Sequence, residues 1–395
     1  MNSKLFRVLM VLMWAVCMPM AALAEGGKES GQGVIRMGGG FALTGDGSVL
    51  DQPAANGAQL AAKEITAAGG VLGRPVELIV RDSQYQMDVT RQIARQLIEE
   101  DQVIGLVGFS DSNSVLAFGP IVQKAGIPFI TAGATSPRLP EQIGDMLFLA
   151  CFGDNVQAAA GAEFAAQQFG KTAYLLWDKS TKFTTLLARY FKARFTELGG
   201  VIVLEEMYDD PATDFSAHIA KVKALPKPPD FYYVSAMPYN IGAVVQQFRA
   251  AGLTGPIVGG DGYDDPTWVA AAGSAANNVY FSTHTLNDGT AGAEAYRRFF
   301  AAYQQEYGHA PENAFAGLGY DAVYLLVDAI RRAGSTEAQA IRKALEETRG
   351  FPGVTGSITY GPGVHVPQKG VTIIALKEGR YTLGAEVVPE KVPAP

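Results

Sequence analysis

VIGLVGFSDSNSVLAFGPIVQKAGIPFITAGATSPRL, residues Val103 to Leu139, is the stretch whose reading decides the fold. Val103 to Val107 is a short apolar run ending at Gly108, which suits a buried parallel strand better than a half-exposed one. Ser110, Asp111, Ser112, Asn113 and Ser114 then crowd hydroxyls and amides where a helix should start. Val115 to Gln123 has helical spacing, and Gly119-Pro120 could kink it or break it in two. Ala125-Gly126 closes it, Pro128 to Thr131 reads as the next strand, and Ala132-Gly133-Ala134-Thr135-Ser136-Pro137 follows. There Ser136 is an expected N-cap and Pro137 an expected first helical residue.

Two neighbouring strands that each end in a small-residue, hydroxyl-rich turn leave backbone N–H groups pointing off the carboxyl edge of a sheet. Such an edge is an anion site. Ser112 and Thr135 add hydroxyl donors, while Gly133 and Ala134 let a ligand approach the main chain. Any one of these residues alone reads as an ordinary helix cap. Two in adjacent turns favour a ligand site.

Working outward, the same alternation extends in both directions. Ile35 to Gly39 and Val76 to Arg81 read as strands, and between them Ala58, Ala61, Ala62 and Ile65 share one helical face. Asp88 opens a helix whose Val89, Ile93 and Leu97 share a face. From Gln157 the rhythm restarts with a helix to Phe169, strand 172–177, helix 184–198, strand 201–208 and helix 215–223. A loop at Leu225 to Pro229, strand 231–235, helix 241–251 and strand 257–259 follow. The last third is helix-rich: 291–307, 314–333 and a helix opened by Thr336 with Gln339 as a capping box. Gly356 to Tyr360 and Val371 to Lys377 read as closing strands. Such a succession predicts parallel sheets covered on both faces, in two lobes for 395 residues.

Met1 to Ala24 has a basic start, an apolar run from Val8 to Met20 and Ala22-Leu23-Ala24 as a cleavage site, which reads as a secretory signal. Glu25 to Gly33 is a flexible lead-in. Lipid attachment would use Cys17, but Val16 stands where such signals carry a small residue. Without Cys17, Cys151 is left alone, so no intramolecular disulfide forms; its apolar neighbours mark a buried thiol. Nothing after residue 24 is long and apolar enough to span a membrane. Removing residues 1–24 leaves 30 basic against 39 acidic residues, a net charge of −9, which argues against nucleic acid as a partner. There is no nucleophile elbow or P-loop, and Gly38-Gly39-Gly40 does not continue as a dinucleotide fingerprint. His218, His284, His309 and His365 are scattered without ligand spacing, so no metal centre is expected, and each reads as a surface or loop histidine.

Leu43-Thr44-Gly45, Asn56-Gly57-Ala58, Glu64-Ile65 with Ala67-Ala68-Gly69-Gly70-Val71, and Gly73-Arg74 stand in an order that resembles the periplasmic branched-chain amino acid binding proteins. So do Ala132 to Pro137, Gly259-Gly260-Asp261-Gly262-Tyr263-Asp264 and Tyr320-Asp321-Ala322-Val323. The resemblance spans nearly the whole chain after residue 24. It implies a type I periplasmic binding protein: an α/β fold of two Rossmann-like lobes with parallel sheets joined by three crossovers. Lobe 1 would take 34–152 and 283–357, lobe 2 would take 153–282 and 358–389, and 390–395 would be a tail.

The resemblance further implies an extracytoplasmic, monomeric solute-binding protein without cofactor, which hands a small α-amino acid of aliphatic or branched-chain type to the transmembrane subunits of an ABC permease. Ser112 and Thr135, with main-chain N–H groups near Ala134 and Thr135, would bind the carboxylate. The Gly133 carbonyl and Asp261 would take the ammonium, and Asp261 alone reads equally as an Asx turn among glycines. Tyr320 would be an aromatic wall, Phe183 would replace a cleft tyrosine and Leu50 a tryptophan. Ala236 and Met237 depart from an expected tyrosine. Asp46 and Asp264 read as solvated turn acids. Two alternatives stay open: a receptor for amides, urea or aromatic carboxylates, and a ligand-sensing module without transport.

Overall fold

The computed structural model describes residues 33–210, 212–290 and 293–395; the stretch read as a secretory signal, Met1 to Ala24, and most of the expected lead-in lie outside the described residues. A five-stranded sheet has the order β2-β1-β3-β4-β5, all parallel. Its strands are β1 (Ile35–Phe41), β2 (Val76–Asp82), β3 (Leu106–Gly108), β4 (Phe129–Thr131) and β5 (Leu147–Leu149). A seven-stranded sheet has the order β14-β13-β10-β9-β8-β6-β7. It contains β6 (Thr172–Asp178), β7 (Val201–Tyr208), β8 (Phe231–Ser235), β9 (Ile257–Gly259), β10 (Val279–Thr283), β13 (Val371–Lys377) and β14 (Arg380–Val387). Here the parallel expectation holds from β7 to β10, but β13 and β14 join antiparallel. A hairpin of β11 (Phe351–Gly353) and β12 (Gly356–Ile358) stands apart.

Helices α1 (Ser48–Ala67), α2 (Met87–Arg95), α3 (Ser112–Ala125) and α4 (Leu139–Ile143) connect the first sheet. The second is connected by α5 (Asp154–Gln168), α6 (Lys182–Glu197), α7 (Ser216–Lys223), α8 (Pro238–Ala250) and α9 (Pro266–Ala272). The chain then returns to the first lobe through α10 (Glu294–Tyr307), α11 (Phe315–Ala333) and α12 (Ala338–Glu346). This return is possible because two helices touch backbone to backbone. A Cβ on Gly57 of α1 would stand 1.9 Å from the Ala316 carbonyl oxygen, and one on Gly319 of α11 would stand 1.9 Å from that of Ala54. The two glycines let α11 lie in the groove of α1, so the C-terminal third completes the first core.

The three glycines of β1 have a packing cause. A Cβ on Gly38 would meet the Leu106 side chain at 2.5 Å, and one on Gly40 would meet the Phe109 ring at 2.7 Å. They make room for larger neighbours on a central strand.

Several local expectations shift. Helix α3 runs unbroken through Gly119-Pro120. Ser136 and Pro137 form a turn ahead of α4, whose N-cap is Arg138. Thr336 and Gln339 make no capping box: α12 begins at Ala338, Glu337 at the N-cap position makes no side-chain cap, and Ser335 receives the Glu337 N–H. The histidines divide. His284 and His365 are 4% and 5% exposed, against the expectation of surface positions, and each ring stacks on a phenylalanine at 3.9 Å.

Candidate functional site

Strand β3 ends at Gly108 with φ of +139°, where a Cβ would stand 1.9 Å from the Gly40 carbonyl oxygen, so only glycine fits. Phe109 follows at φ of +55°, an uncommon conformation for a bulky residue. This tight exit swings Ser110, Asp111 and Ser112 across the carboxyl edge of the sheet. Asp111 caps α3, accepting the Ser114 N–H at 2.8 Å, and leaves Ser112 at the first helical position. The next strand, β4, delivers Gly133 and Thr135 beside it. A Cβ on Gly133 would strike the Phe315 ring at 2.6 Å, so glycine lets the N-terminus of α11 close over this turn.

From the second lobe, β9 ends in Gly259-Gly260 and turns through Asp261–Tyr263. A Cβ on Gly260 would lie 2.4 Å from Leu187, and one on Gly262 would lie 3.1 Å from Phe183. These close approaches seat the turn on the start of α6. The two carboxyl edges meet around a cavity of about 20 Å³ lined by Leu50, Ser110, Asp111, Ser112, Gly133, Thr135, Phe183, Met237, Asp261, Gly262 and Phe315. The first lobe contributes the Ser110, Ser112 and Thr135 hydroxyls and the Asp111 carboxyl, the second contributes the Asp261 carboxyl, and both contribute apolar walls to one space.

Asp261 is 2% exposed and both its oxygens are engaged. Oδ1 accepts from Gln157 Nε2 at 2.9 Å, and Oδ2 lies 3.2 Å from His284 Nε2. Gln157 also receives the Asp261 N–H and the Ser282 hydroxyl on Oε1, and gives its second amide hydrogen to Asp154 Oδ1 at 3.1 Å. Burial pushes the Asp154 carboxyl up to about 8, with the charge of Asp261 adding to the shift. Burial pulls His284 below the ordinary histidine range, and Asp261 opposes that pull. On the other side, the Ser112 hydroxyl is buried and makes no hydrogen bond. A buried donor of this kind is available to a ligand acceptor.

Of the residues singled out in the sequence, Leu50, Ser112, Gly133, Thr135, Phe183 and Asp261 line this cavity together. Ala134 does not. Its N–H turns to Thr131 Oγ1 at 3.2 Å and its carbonyl receives the Cys151 thiol at 3.4 Å, so it stands behind the wall and its N–H is spent. Tyr320 is displaced as well: its hydroxyl donates to Glu64 at 2.6 Å and its ring packs on Phe299 at 4.9 Å. The wall expected there is Phe315, more than a helical turn earlier on α11, because the N-terminus of that helix points at the cleft. Asp264, read as a solvated turn acid, is 1% exposed; it accepts from Thr283 Oγ1 at 2.7 Å and from the Ala314 N–H at 3.1 Å. Burial pushes it up to about 7. Asp46 is exposed, as expected.

Sequence reasoning passed over Gln157, His284, Met237 as a wall, and Asp111. His284 had a usable signal: VYFST at 279–283 is an apolar strand, so His284 follows a strand end just as Asp261 does. Gln157 had none, since its place depends on how α5 packs against β9.

Among the described residues no group of side chains could hold a metal ion and no helix is long and apolar enough to cross a membrane. A family model described as periplasmic binding protein matches residues 34–380. The "Leu/Ile/Val-binding protein homolog 1" of Brucella abortus is 28% identical over 342 residues, 86% of this chain and 89% of that one. The structure is similar to the leucine-binding protein LivK of Thermotoga maritima, with a TM-score of 0.83 and 29% identity over 90% of this chain and 99% of that one. It is also similar to LivJ of Streptococcus pneumoniae in complex with isoleucine, with a TM-score of 0.81 and 28% identity over 90% and 99%. With the two sheets, the crossovers between them and the inter-lobe cavity in place, the chain belongs to the periplasmic binding protein family, with the type I fold of the branched-chain amino acid binding proteins.

Proposed function

We propose that this chain is the extracytoplasmic solute receptor of an ABC importer, and that its lobes close around an α-amino acid with an aliphatic side chain. The observation that carries this reading is the polarity of the cavity. The unpartnered Ser112 hydroxyl and the neighbouring Thr135 of the first lobe oppose the buried Asp261 of the second, and Leu50, Phe183, Met237 and Phe315 stand as apolar wall. A zwitterion presents one anionic and one cationic group, and each needs a partner once removed from water. Ser112 and Thr135 suit the carboxylate, while Asp261 and the Gly133 carbonyl suit the ammonium. The cavity volume of about 20 Å³ admits a water molecule, so the lobes must part to take in a solute. Hinge closure then completes the contacts and produces the shape that permease subunits recognise. The lobe limits at 152/153, 282/283 and 357/358, secretion through the signal at Met1–Ala24 and action as a monomer belong to this same proposal.

A second reading has its own support. Both oxygens of Asp261 already hold protein partners, which leaves room for a receptor of carboxylates or amides that needs no ammonium. Thermal unfolding of refolded, ligand-free protein against the twenty amino acids, urea, short amides and benzoate-type acids separates the two, because a ligand of the native state raises its apparent stability. Shifts with leucine, isoleucine or valine are expected. Shifts confined to carboxylates or amides would overturn the amino acid reading.

A further inference from the structure

Asp261 does not stand alone in its half of the cavity. Gln157 Oε1 receives two donors, the Asp261 N–H at 3.1 Å and Ser282 Oγ at 2.8 Å, so the amide orientation is set by the network. Its Nε2 must then face Asp154 and Asp261. His284 lies between lobes, stacked on Phe152 of the first crossover at 3.9 Å and meeting the cavity-wall ring of Phe315 edge-on at 5.9 Å. With its Nε2 committed to Asp261 and its Nδ1 buried without a partner, the ring has little room to turn.

We propose that His284 is a positioning residue for Asp261, holding its carboxylate toward the ligand ammonium while neutral and competing with that ammonium once protonated. This rests on the amino acid reading and adds its regulation. Neutral His284 donates Nε2–H to Oδ2, which fixes the carboxylate and leaves its charge uncompensated. A proton on Nδ1 would turn the ring into a cation 3.2 Å from that charge, so the site would neutralise itself and lose its preference for an ammonium. The groups facing the ring are Asp261 from the turn after β9 and Lys369 from the third crossover. Asp154 and the Cys151 thiol stand beyond Asp261. Asp264 is reached through the neighbouring Thr283. Since burial holds His284 below the ordinary histidine range, the competing cation forms only in acid, and affinity for an α-amino acid falls there.

The test is leucine affinity by titration calorimetry from pH 5 to 8.5, for the wild type, His284→Gln and His284→Phe, alongside 4-methylpentanoate as the ligand lacking the amine. Wild type should lose about tenfold in leucine affinity per pH unit once the histidine protonates. It should lose far less for 4-methylpentanoate. His284→Gln, whose amide can donate but cannot gain a proton, should bind more weakly at pH 7.5 and show a flattened acid limb. His284→Phe keeps the stack and loses the donor, so it should bind weakly at every pH. The wild-type imidazole shifts, followed by NMR, should titrate at lower pH when leucine is bound, which needs no variant. An acid limb unchanged in His284→Gln, or a wild-type profile that is flat, overturns the role of His284 while leucine binding itself stands. No leucine binding at any pH overturns the amino acid reading instead.

Discussion

Asp261 is where a single substitution should be felt most. On the amino acid reading we propose, Asp261→Ala removes the counter-charge of the ligand ammonium, and it strands the Gln157 and His284 donors that now point at it. We expect leucine affinity to fall by more than about tenfold, given roughly 1.5–3 kcal/mol for a hydrogen bond to a charged group. Calorimetry measures this, and unchanged affinity would remove Asp261 from the site. At this scale the convergence of Ser112, Gly133, Thr135 and Asp261 was readable, because each follows an apolar strand by a few residues and the carboxyl edge of a parallel sheet collects such residues. Tyr320 misled for a physical reason. It lies on the same long helix as Phe315, but residues five apart on a helix point in different directions, and the helix direction relative to the cleft is set by packing on α1.

That packing is the main device at the scale of elements. Gly319→Ala places a methyl 1.9 Å from the Ala54 carbonyl oxygen, and backbone on both sides cannot yield as a side chain tip would. The substitution should destabilise the protein by about 1–3 kcal/mol, the usual cost of overpacking, read as a lower urea midpoint at unchanged slope. Because α11 carries Phe315, the same change should also weaken leucine binding; a variant with wild-type stability would show that the two helices separate freely. The periodic elements were legible, and β8, β9 and β13 match their expected limits. Strands β5, β10 and β14 were not anticipated. β5 has three residues and β14 is half exposed, so neither carries a strong pattern of its own.

Across the whole molecule the crossovers are tied together by buried polar groups. Lys369 donates to the Ala150 carbonyl at 3.1 Å and to Thr355 Oγ1 at 2.7 Å, while Asp321 holds the Val354 and Thr355 N–H groups. The Tyr320-Asp321 pair of the sequence thus fixes the turn at Val354-Thr355, which Lys369 also reaches, through Asp321. Burial also leaves Asp51 raised to about 7, Asp154 to about 8 and Asp264 to about 7. A carboxyl raised in the folded state keeps its proton where the unfolded chain has lost it. The stability it contributes is full below the unfolded pKa near 4 and is lost as pH rises through the folded value. His284 and His365, lowered by burial, cost stability only below the ordinary histidine range. Between pH 6.5 and 8.5 the three acids act against Lys369, whose ammonium burial pulls below its ordinary range, and as they outnumber it the urea midpoint should be higher at pH 6.5 than at pH 8.5. A midpoint that rises with pH across this window would mean that these acids are ionised in the folded protein.

By itself, the sequence determined the α/β class, the two runs of alternating elements and the strand-end turns that carry Ser112, Thr135 and Asp261, since hydrophobic period and turn chemistry are local. Tertiary structure alone decided that Phe315 and not Tyr320 faces the cavity, that Asp264 is buried, and that His284 and Gln157 hold Asp261. It also decided that β13 and β14 extend the second sheet antiparallel. Each of these depends on separate segments of the chain, from 19 residues apart for Asp264 and Thr283 to 104 for Gln157 and Asp261, or on which lobe a returning helix packs against. Burial is what turns such an approach into a hydrogen bond or a shifted proton, and burial is a property of the assembled fold.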